Sequence, residues 1–390
     1  MPRVLHVIES LGLGGAERLL ALTVREMKRS QYESVVCHLS DRAVDWRDTI
    51  EDEGVSVESL GLRSMYDFRA AVAGIRQLVR RWRVDLVHSH LYFPGLYAQL
   101  AAWRERLPIV SSMHNLELEP DNLRDNPALT PGKQGALRLA SRVAVRLSRP
   151  MLVAVSDAVR ASVIRQLGVA PETVVTIHNG IDPDAYDLLG DGVVARRRLG
   201  LSPTTTVLLI VGRLVPLKGH RYLLSALAQL RHAQRDVALL VVGDGPLRAS
   251  LERLADGLDL KAAVHFLGAR QGLVEETLAA ADIVVVPSLL EGFGLVALEA
   301  MAAGRPCVVS RTGGLPEIVE DDDSGILVPA GDVTALTSAL DRLVSNPDLR
   351  ARMGRRGRAV VEARFDIRVG VRQIIWVYDD ILARHAARQR

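Results

Sequence analysis

The stretch "DIVVVPSLLEGFGLVALEAMAAGRPCVVS", residues 282–310, reads as strand, loop, helix, strand. Its two outer runs, 282–288 and 305–310, are continuously apolar, where a strand with one wet face would alternate. Strands of that kind are covered on both faces, and a helical spacer between them makes the pair parallel. The loop "LLEGFG" ends near Gly294, where a helix is expected to start. Two carboxylates, Glu291 and Glu299, sit eight positions apart in this apolar setting. Were every step between them helical, they would stand about 12 Å apart along the axis and about 80° around it. A retaining glycosidase holds its two carboxylates about 5 Å apart, so the two do not read as a paired acid and nucleophile. The better division puts Glu291 in the loop and Glu299 one turn into the helix.

The same rhythm extends in both directions. Apolar runs at 206–212, 237–243, 263–268 and 325–329 complete a second-half sheet, and runs at 3–9, 33–39, 55–60, 84–90, 108–112, 151–156 and 173–178 build one in the first half. Amphipathic stretches such as 66–81 fill the gaps. The fold class is therefore α/β, with two doubly wound, Rossmann-like domains. Residues 1–181 form the first and 206–365 the second. Residues 182–205, rich in Gly, Asp and Pro, read as a connection, and 366–390 as a long terminal helix. Ligands of such sheets bind at the carboxyl ends of strands, so two facing domains would make a cleft.

Composition narrows the function. A chain of 390 residues is long for one core and comfortable for two. A formal net charge of +3 lacks the basic face of a nucleic-acid binder. Cys37 and Cys307 lie in apolar runs of different halves, as buried free thiols of a reducing compartment would. No run approaches the roughly 20 apolar residues of a membrane span, and the N-terminal run is cut by glycines. A cytoplasmic protein is expected, with peripheral contact at the inner face of the membrane.

The loops after the strands carry the chemistry. Gly12, Gly14 and Gly15 precede a helix expected near Ala16, where free N–H groups could meet a phosphate; the spacing is not that of a dinucleotide site. Arg213 and Lys218, in "VGRLVPLKGH", suit a diphosphate, with Arg gripping two oxygens and Lys acting as a point charge; two solvated surface cations are the plainer alternative. Gly243 and Gly245, in "VVGDGPLR", allow close approach but are equally good turn chemistry. Glu299 suits a ribose diol, since a carboxylate accepts two hydroxyl hydrogen bonds, or it is a buried structural acid, costly without a partner. His88 and His90 point the same way on one strand, with no third metal ligand evident; His90 is an acceptor-side candidate or a packed histidine. "DPD" (182–184) and "DDD" (321–323) imitate a metal-binding acidic pair but fall in the connection and in a turn. Residues 131–170 hold seven basic residues and one acid, with Arg138, Arg142 and Arg146 at four-residue steps; such a helix is either a membrane-facing or a merely solvated basic face.

The region 288–332, together with "GGAER", "VSDAVR", "HNGID" and "VGRLVPLKG" in that order, resembles the retaining GT-B glycosyltransferases of family four over nearly the whole chain. The resemblance implies transfer from a nucleotide-sugar donor with no cofactor and no obligatory metal. It implies Arg213 and Lys218 on the donor diphosphate, Glu299 on the ribose, and Glu291 and His114 at the donor sugar. The backbone at Gly14 and Gly15 would face the phosphate, and Gly292, Phe293 and Gly294 would shape the loop under sugar and diphosphate. Gly313, Gly314 and Glu317 would form a further loop on the rim. The acceptor would be a carbohydrate, a lipid-linked or a small-molecule hydroxyl. The last helix would cross back to the first domain, locked there by Trp376 and Tyr378. A sugar-nucleotide epimerase of the same fold and a non-catalytic nucleotide-sugar binder are the rivals; a dehydrogenase lacks the required glycine spacing.

Overall fold

A computed structural model describes every residue except 117, 118, 120–129, 188, 271 and 390. The chain divides into two compact units, Met1–Gly180 with Ile367–Arg390, and Ile181–Asp366.

Among the described residues unit 1 holds seven strands: β1 (Arg3–Ile8), β2 (Glu33–His38), β3 (Ser56–Ser59), β4 (Leu86–His90), β5 (Ile109–Met113), β6 (Met151–Ala154) and β7 (Val174–Thr176). They pair in parallel in the order β3-β2-β1-β4-β5-β6-β7. The order reverses at β1, so β1 and β4 are central neighbours, with His6 opposite His88 in register. One face is covered by the helices Phe68–Arg81 and Tyr92–Glu105, through Ile75, Leu78 and Tyr97. The other is covered by Gly15–Met27 and by the terminal helix Ile367–Gln389, whose Val371, Ile374, Val377 and Tyr378 pack on Val4, Leu86 and Val110. Trp376 does not share in that packing: at 65% exposed it lies on the outer face, because only positions three and four apart from the buried row look inward. The inner contact is Tyr378, whose hydroxyl lies 2.5 Å from His88 Nδ1.

Unit 2 holds β8 (Thr206–Val211), β9 (Val237–Val242), β10 (Val264–Gly268), β11 (Ile283–Val286), β12 (Cys307–Ser310) and β13 (Gly325–Val328), all parallel in the order β10-β9-β8-β11-β12-β13. The reversal here falls between β8 and β11. Continuous burial of β9, β11 and β12 matches their unbroken apolar sequence. The stretch read as a connection is more than that. It contains the helix Gly192–Arg198, started by Asp191 and held by Arg196, which donates to Asp282 at 2.6 Å and to the Ala280 carbonyl at 3.0 Å. A seven-residue helix with three consecutive arginines gives little apolar period, so the sequence alone does not reveal it.

Both cysteines are buried and unpaired. Among the described residues no helix is long and apolar enough to cross a membrane. Each acid of "DDD" has its own arginine: Asp321 with Arg311 at 2.5 Å, Asp322 with Arg342 at 2.5 Å, and Asp323 with Arg356 at 2.8 Å. They are surface ion pairs that pin the turn before β13.

Candidate functional site

In unit 2 the chain reversal between β8 and β11 makes neighbours of the two loops that carry charge. One runs from Gly212 to the helix His220–His232, the other from Pro287 to the helix Leu295–Ala302. Leu289 N–H donates to the Leu217 carbonyl at 2.8 Å and zips them together. Two glycines permit the approach. A Cβ on Gly219 (φ +72°) would stand 1.9 Å from the Pro287 carbonyl oxygen, and one on Gly313 (φ +53°) 1.6 Å from the Glu291 carbonyl oxygen. Both positions are also left-handed, so any side chain costs strain in addition to the clash. Gly313 thus holds the Glu291 loop from beneath, while Gly314 N–H donates to the same carbonyl at 3.3 Å.

On this frame the Lys218 ammonium donates to Glu291 Oε2 at 2.8 Å, and the Ser288 hydroxyl donates to the same oxygen at 3.0 Å. The Arg213 side chain is exposed and makes no ion pair or hydrogen bond among the described residues, while its carbonyl accepts from Val215 N–H at 2.9 Å. One uncommitted guanidinium and one partly committed ammonium therefore stand in the loop after β8, beside the N-terminus of a 13-residue helix. Glu299 is the fifth residue of Leu295–Ala302 and 5% exposed, on a helix buried nearly all round. Gly294 caps that helix at φ +109°, one residue before the helix proper. Phe293 points its ring away from the loop surface into the core, edge-on to Phe365 at 6.0 Å. It anchors the loop and leaves the backbone of Gly292 and Gly294 to present it.

In unit 1, Gly14 caps the helix Gly15–Met27, one residue earlier than the expected start. A Cβ on Gly14 would meet the Glu17 carboxylate at 2.2 Å, so an acidic group already lies beside these N–H groups. A histidine cluster runs from mid-strand His6 and His88 of β1 and β4 to His90 at the end of β4 and His114 just after β5. His90 Nε2 lies 3.3 Å from His6 Nδ1, and His90 Nδ1 lies 3.2 Å from His114 Nε2. His88 stacks on His90 at 4.2 Å between centroids, with its own nitrogens on Tyr378 and, at 2.7 Å, on the Ser112 hydroxyl. Removal from water holds all four imidazoles neutral: His6 is pushed down to about 3, His114 to about 4, and His88 and His90 well below the ordinary histidine value, where the neighbouring imidazoles further oppose a second positive charge. Leu91, next after His90, sits at φ +70°, ψ 176°, a conformation costing about 1–3 kcal/mol for a residue with a side chain. His90 is thus a packed histidine that, with His114, His178 and Asn179, lines a small pocket in unit 1. The third histidine that the strand pattern of β4 did not disclose is His6, brought in by the β1–β4 register. Most of the loop 114–131, which follows β5, lies outside the described residues.

Comparison with known proteins now bears on this geometry. The family model described as Glycosyltransferase Family 4 matches residues 13–185, and that described as Glycosyl transferases group 1 matches 194–360. A D-inositol 3-phosphate glycosyltransferase from Stackebrandtia nassauensis is 35% identical over 78% of this chain and 70% of its own length. One from Corynebacterium glutamicum is 31% identical over 85% of this chain and 80% of its own. The chain belongs to glycosyltransferase family four. Among solved structures, Anabaena Alr3699/HepE in complex with UDP-glucose is similar to this glycosyltransferase with a TM-score of 0.84, at 25% identity, covering 97% of this chain and 100% of that one. The two doubly wound sheets of the glycosyltransferase are those of the GT-B fold.

Proposed function

We propose that this glycosyltransferase moves a hexose from a nucleoside-diphosphate sugar, with retention of anomeric configuration, to a hydroxyl of a small phosphorylated polyol. The observation that carries the reading is the Arg213, Lys218 and Glu291 group at the carboxyl ends of β8 and β11. Arg213 and Lys218 take the diphosphate, and their charge stabilises the negative charge that builds as it leaves, a task for which no metal is then required. Glu299 takes the ribose hydroxyls, and Glu291, oriented by Lys218 and Ser288, takes a donor-sugar hydroxyl; the family's pattern assigns His114 and the Gly14–Gly15 turn to donor binding. The bond from the anomeric carbon to the diphosphate oxygen breaks, the bond to the acceptor oxygen forms on the same face, and the acceptor's proton passes to the departing diphosphate. No protein base is needed. UDP as the carrier is supported by the HepE complex, and the polyol phosphate by the relatives' names.

A second acceptor class, a lipid-linked one, is favoured by the helix Pro131–Ser148. Its outer face shows Leu139 (63% exposed), Val143 (47%) and Leu147 (40%) in one row beside the exposed Arg142 and Arg146. An apolar row edged by cations is the pattern of a helix lying on an anionic membrane.

The test is a thermal-shift panel of UDP-, GDP-, ADP- and dTDP-sugars with and without EDTA, followed by product analysis. UDP-sugars alone are expected to stabilise the protein, EDTA to have no effect, and Glu299→Gln to weaken the shift. The glycoside formed on inositol phosphate is expected to keep the donor's anomeric configuration; an inverted product sinks the mechanism. Donor isomerised without acceptor would make the protein an epimerase. Transfer only to lipid acceptor on anionic vesicles, abolished by Leu139→Glu with Val143→Glu, would select the second class.

A further inference from the structure

We propose that His6 and His90 are positioning residues that lock the ring of His114 into a single tautomer through one continuous hydrogen-bonded chain. The chain runs from the Ser34 hydroxyl to His6 Nε2 at 3.4 Å, from His6 Nδ1 to His90 Nε2 at 3.3 Å, and from His90 Nδ1 to His114 Nε2 at 3.2 Å. A neutral imidazole carries one N–H and one lone pair. Each histidine–histidine link joins the Nδ1 of one ring to the Nε2 of the next. If His6 carries its proton on Nδ1, His90 must accept at Nε2 and donate from Nδ1, and His114 must accept at Nε2 and hold its proton on Nδ1. The opposite choice puts all three protons on Nε2. A mixed arrangement sets two N–H groups or two lone pairs face to face in a buried site, where an unmade hydrogen bond costs about 1–3 kcal/mol. All three rings therefore share one tautomer, and the nitrogen His114 leaves toward the pocket is either a fixed donor or a fixed acceptor.

The rings cannot easily turn to escape this. His6 and His90 are stacked at 5.6 Å with 20° between planes, and His88 packs on both. Burial keeps the rings uncharged, so a doubly protonated ring does not break the sequence. Nitrogens of His6, His88 and His90 also lie within 4.8 Å of one another, and 3.3 Å is the separation of two ligands that each stand about 2.0–2.1 Å from one tetrahedral zinc ion. His88, however, has both nitrogens in hydrogen bonds of 2.5 and 2.7 Å, which favours the proton chain over a shared cation.

The functional half of the inference rests on the reading of His114 as a donor contact, and the experiment separates the two. Long-range proton–nitrogen correlation spectra of the full chain, labelled with 15N-histidine, report each ring's tautomer; single His→Gln variants assign them. In the wild type His6, His90 and His114 are expected in the same neutral tautomer at pH 7. His90→Phe, or His6→Phe should the first not fold, is expected to release His114 into a mixture of both forms. His90→Gln, whose amide can donate and accept, should keep one. With UDP-glucose, kcat of His90→Phe should fall roughly tenfold at little-changed KM, and His90→Gln should recover most of it. Unlike tautomers in the wild type, an unchanged His114 in both Phe variants, or stoichiometric Zn²⁺ held by these rings would overturn the chain. A locked His114 whose replacement by Ala leaves turnover intact would keep the chain and remove the donor-side reading.

Discussion

Between pH 7 and pH 5, unit 1 is expected to lose most of its stability. His6, His88, His90 and His114 are buried there and neutral, His6 held down to about 3 and His114 to about 4. In the unfolded chain the same side chains protonate near their ordinary value of about 6.5. Below that pH the unfolded state binds protons that the folded state does not, so the free energy of unfolding falls as pH falls. The loss begins at about 6.5 and continues to the folded values. Each ring contributes about 1.4 kcal/mol per pH unit once the unfolded form is protonated. Four together give roughly 6 kcal/mol at pH 5.5, comparable with the roughly 5–15 kcal/mol of a whole domain. Unit 2 carries one such ring, His220, lowered to about 4 by burial and by Lys218, with neither nitrogen hydrogen-bonded among the described residues. Urea titrations at pH 7, 6 and 5, followed by hydrogen exchange, should show unit 1 opening first as acid is added. Equal midpoints for the two units across this range would contradict it.

Loss of the Lys218 charge is expected to cost more activity than any other single change in unit 2. Lys218→Met keeps the length of the side chain and removes the ammonium. Two consequences combine. In the proposed reaction the leaving diphosphate loses a fixed positive charge, an effect of about 10²–10³ in kcat, or roughly 3–4 kcal/mol, for one electrostatic contact of this kind. Glu291 meanwhile keeps only the Ser288 hydroxyl of its two charge-site donors and is free to swing. Lys218→Arg should restore only part, because the planar guanidinium cannot occupy the point position of an ammonium 2.8 Å from Glu291. The pair is partly exposed, so thermal stability should move little. Steady-state kinetics with the preferred donor decide it: a fall in kcat below tenfold would remove Lys218 from the reaction.

Much of this was legible in residues 282–310 because the signals there are local. Apolar runs flanked by a glycine-rich loop specify covered strands whatever lies elsewhere, and the glutamates occupy the loop and helix positions that such a reading assigns. The partner of Lys218 shows only when the β8–β11 adjacency is seen, since it is that adjacency which sets Lys218 on Glu291. His6 could not be found locally. A histidine inside an apolar run reads as core, and its partners arrive 82 and 84 residues later through strand register. Trp376 failed for the opposite reason: its size suggested an anchor, but its place on the helical wheel put it outside, and the anchor is the tyrosine two residues on.

The return of Ile367–Gln389 to unit 1 has a consequence for the newborn chain. Protein domains generally fold in the order in which they leave the ribosome. Here the first unit to begin is the last to finish. Residues 181–366 can assemble their sheet while the β1–β4–β5 face still waits, with Val4, Leu86 and Val110 lacking the last helix and His88 lacking the tyrosine hydroxyl that will reach it. Until translation passes Tyr378, that oily half-finished surface is what a chaperone would meet, and a premature stop codon upstream of the last helix would spoil unit 1 rather than unit 2.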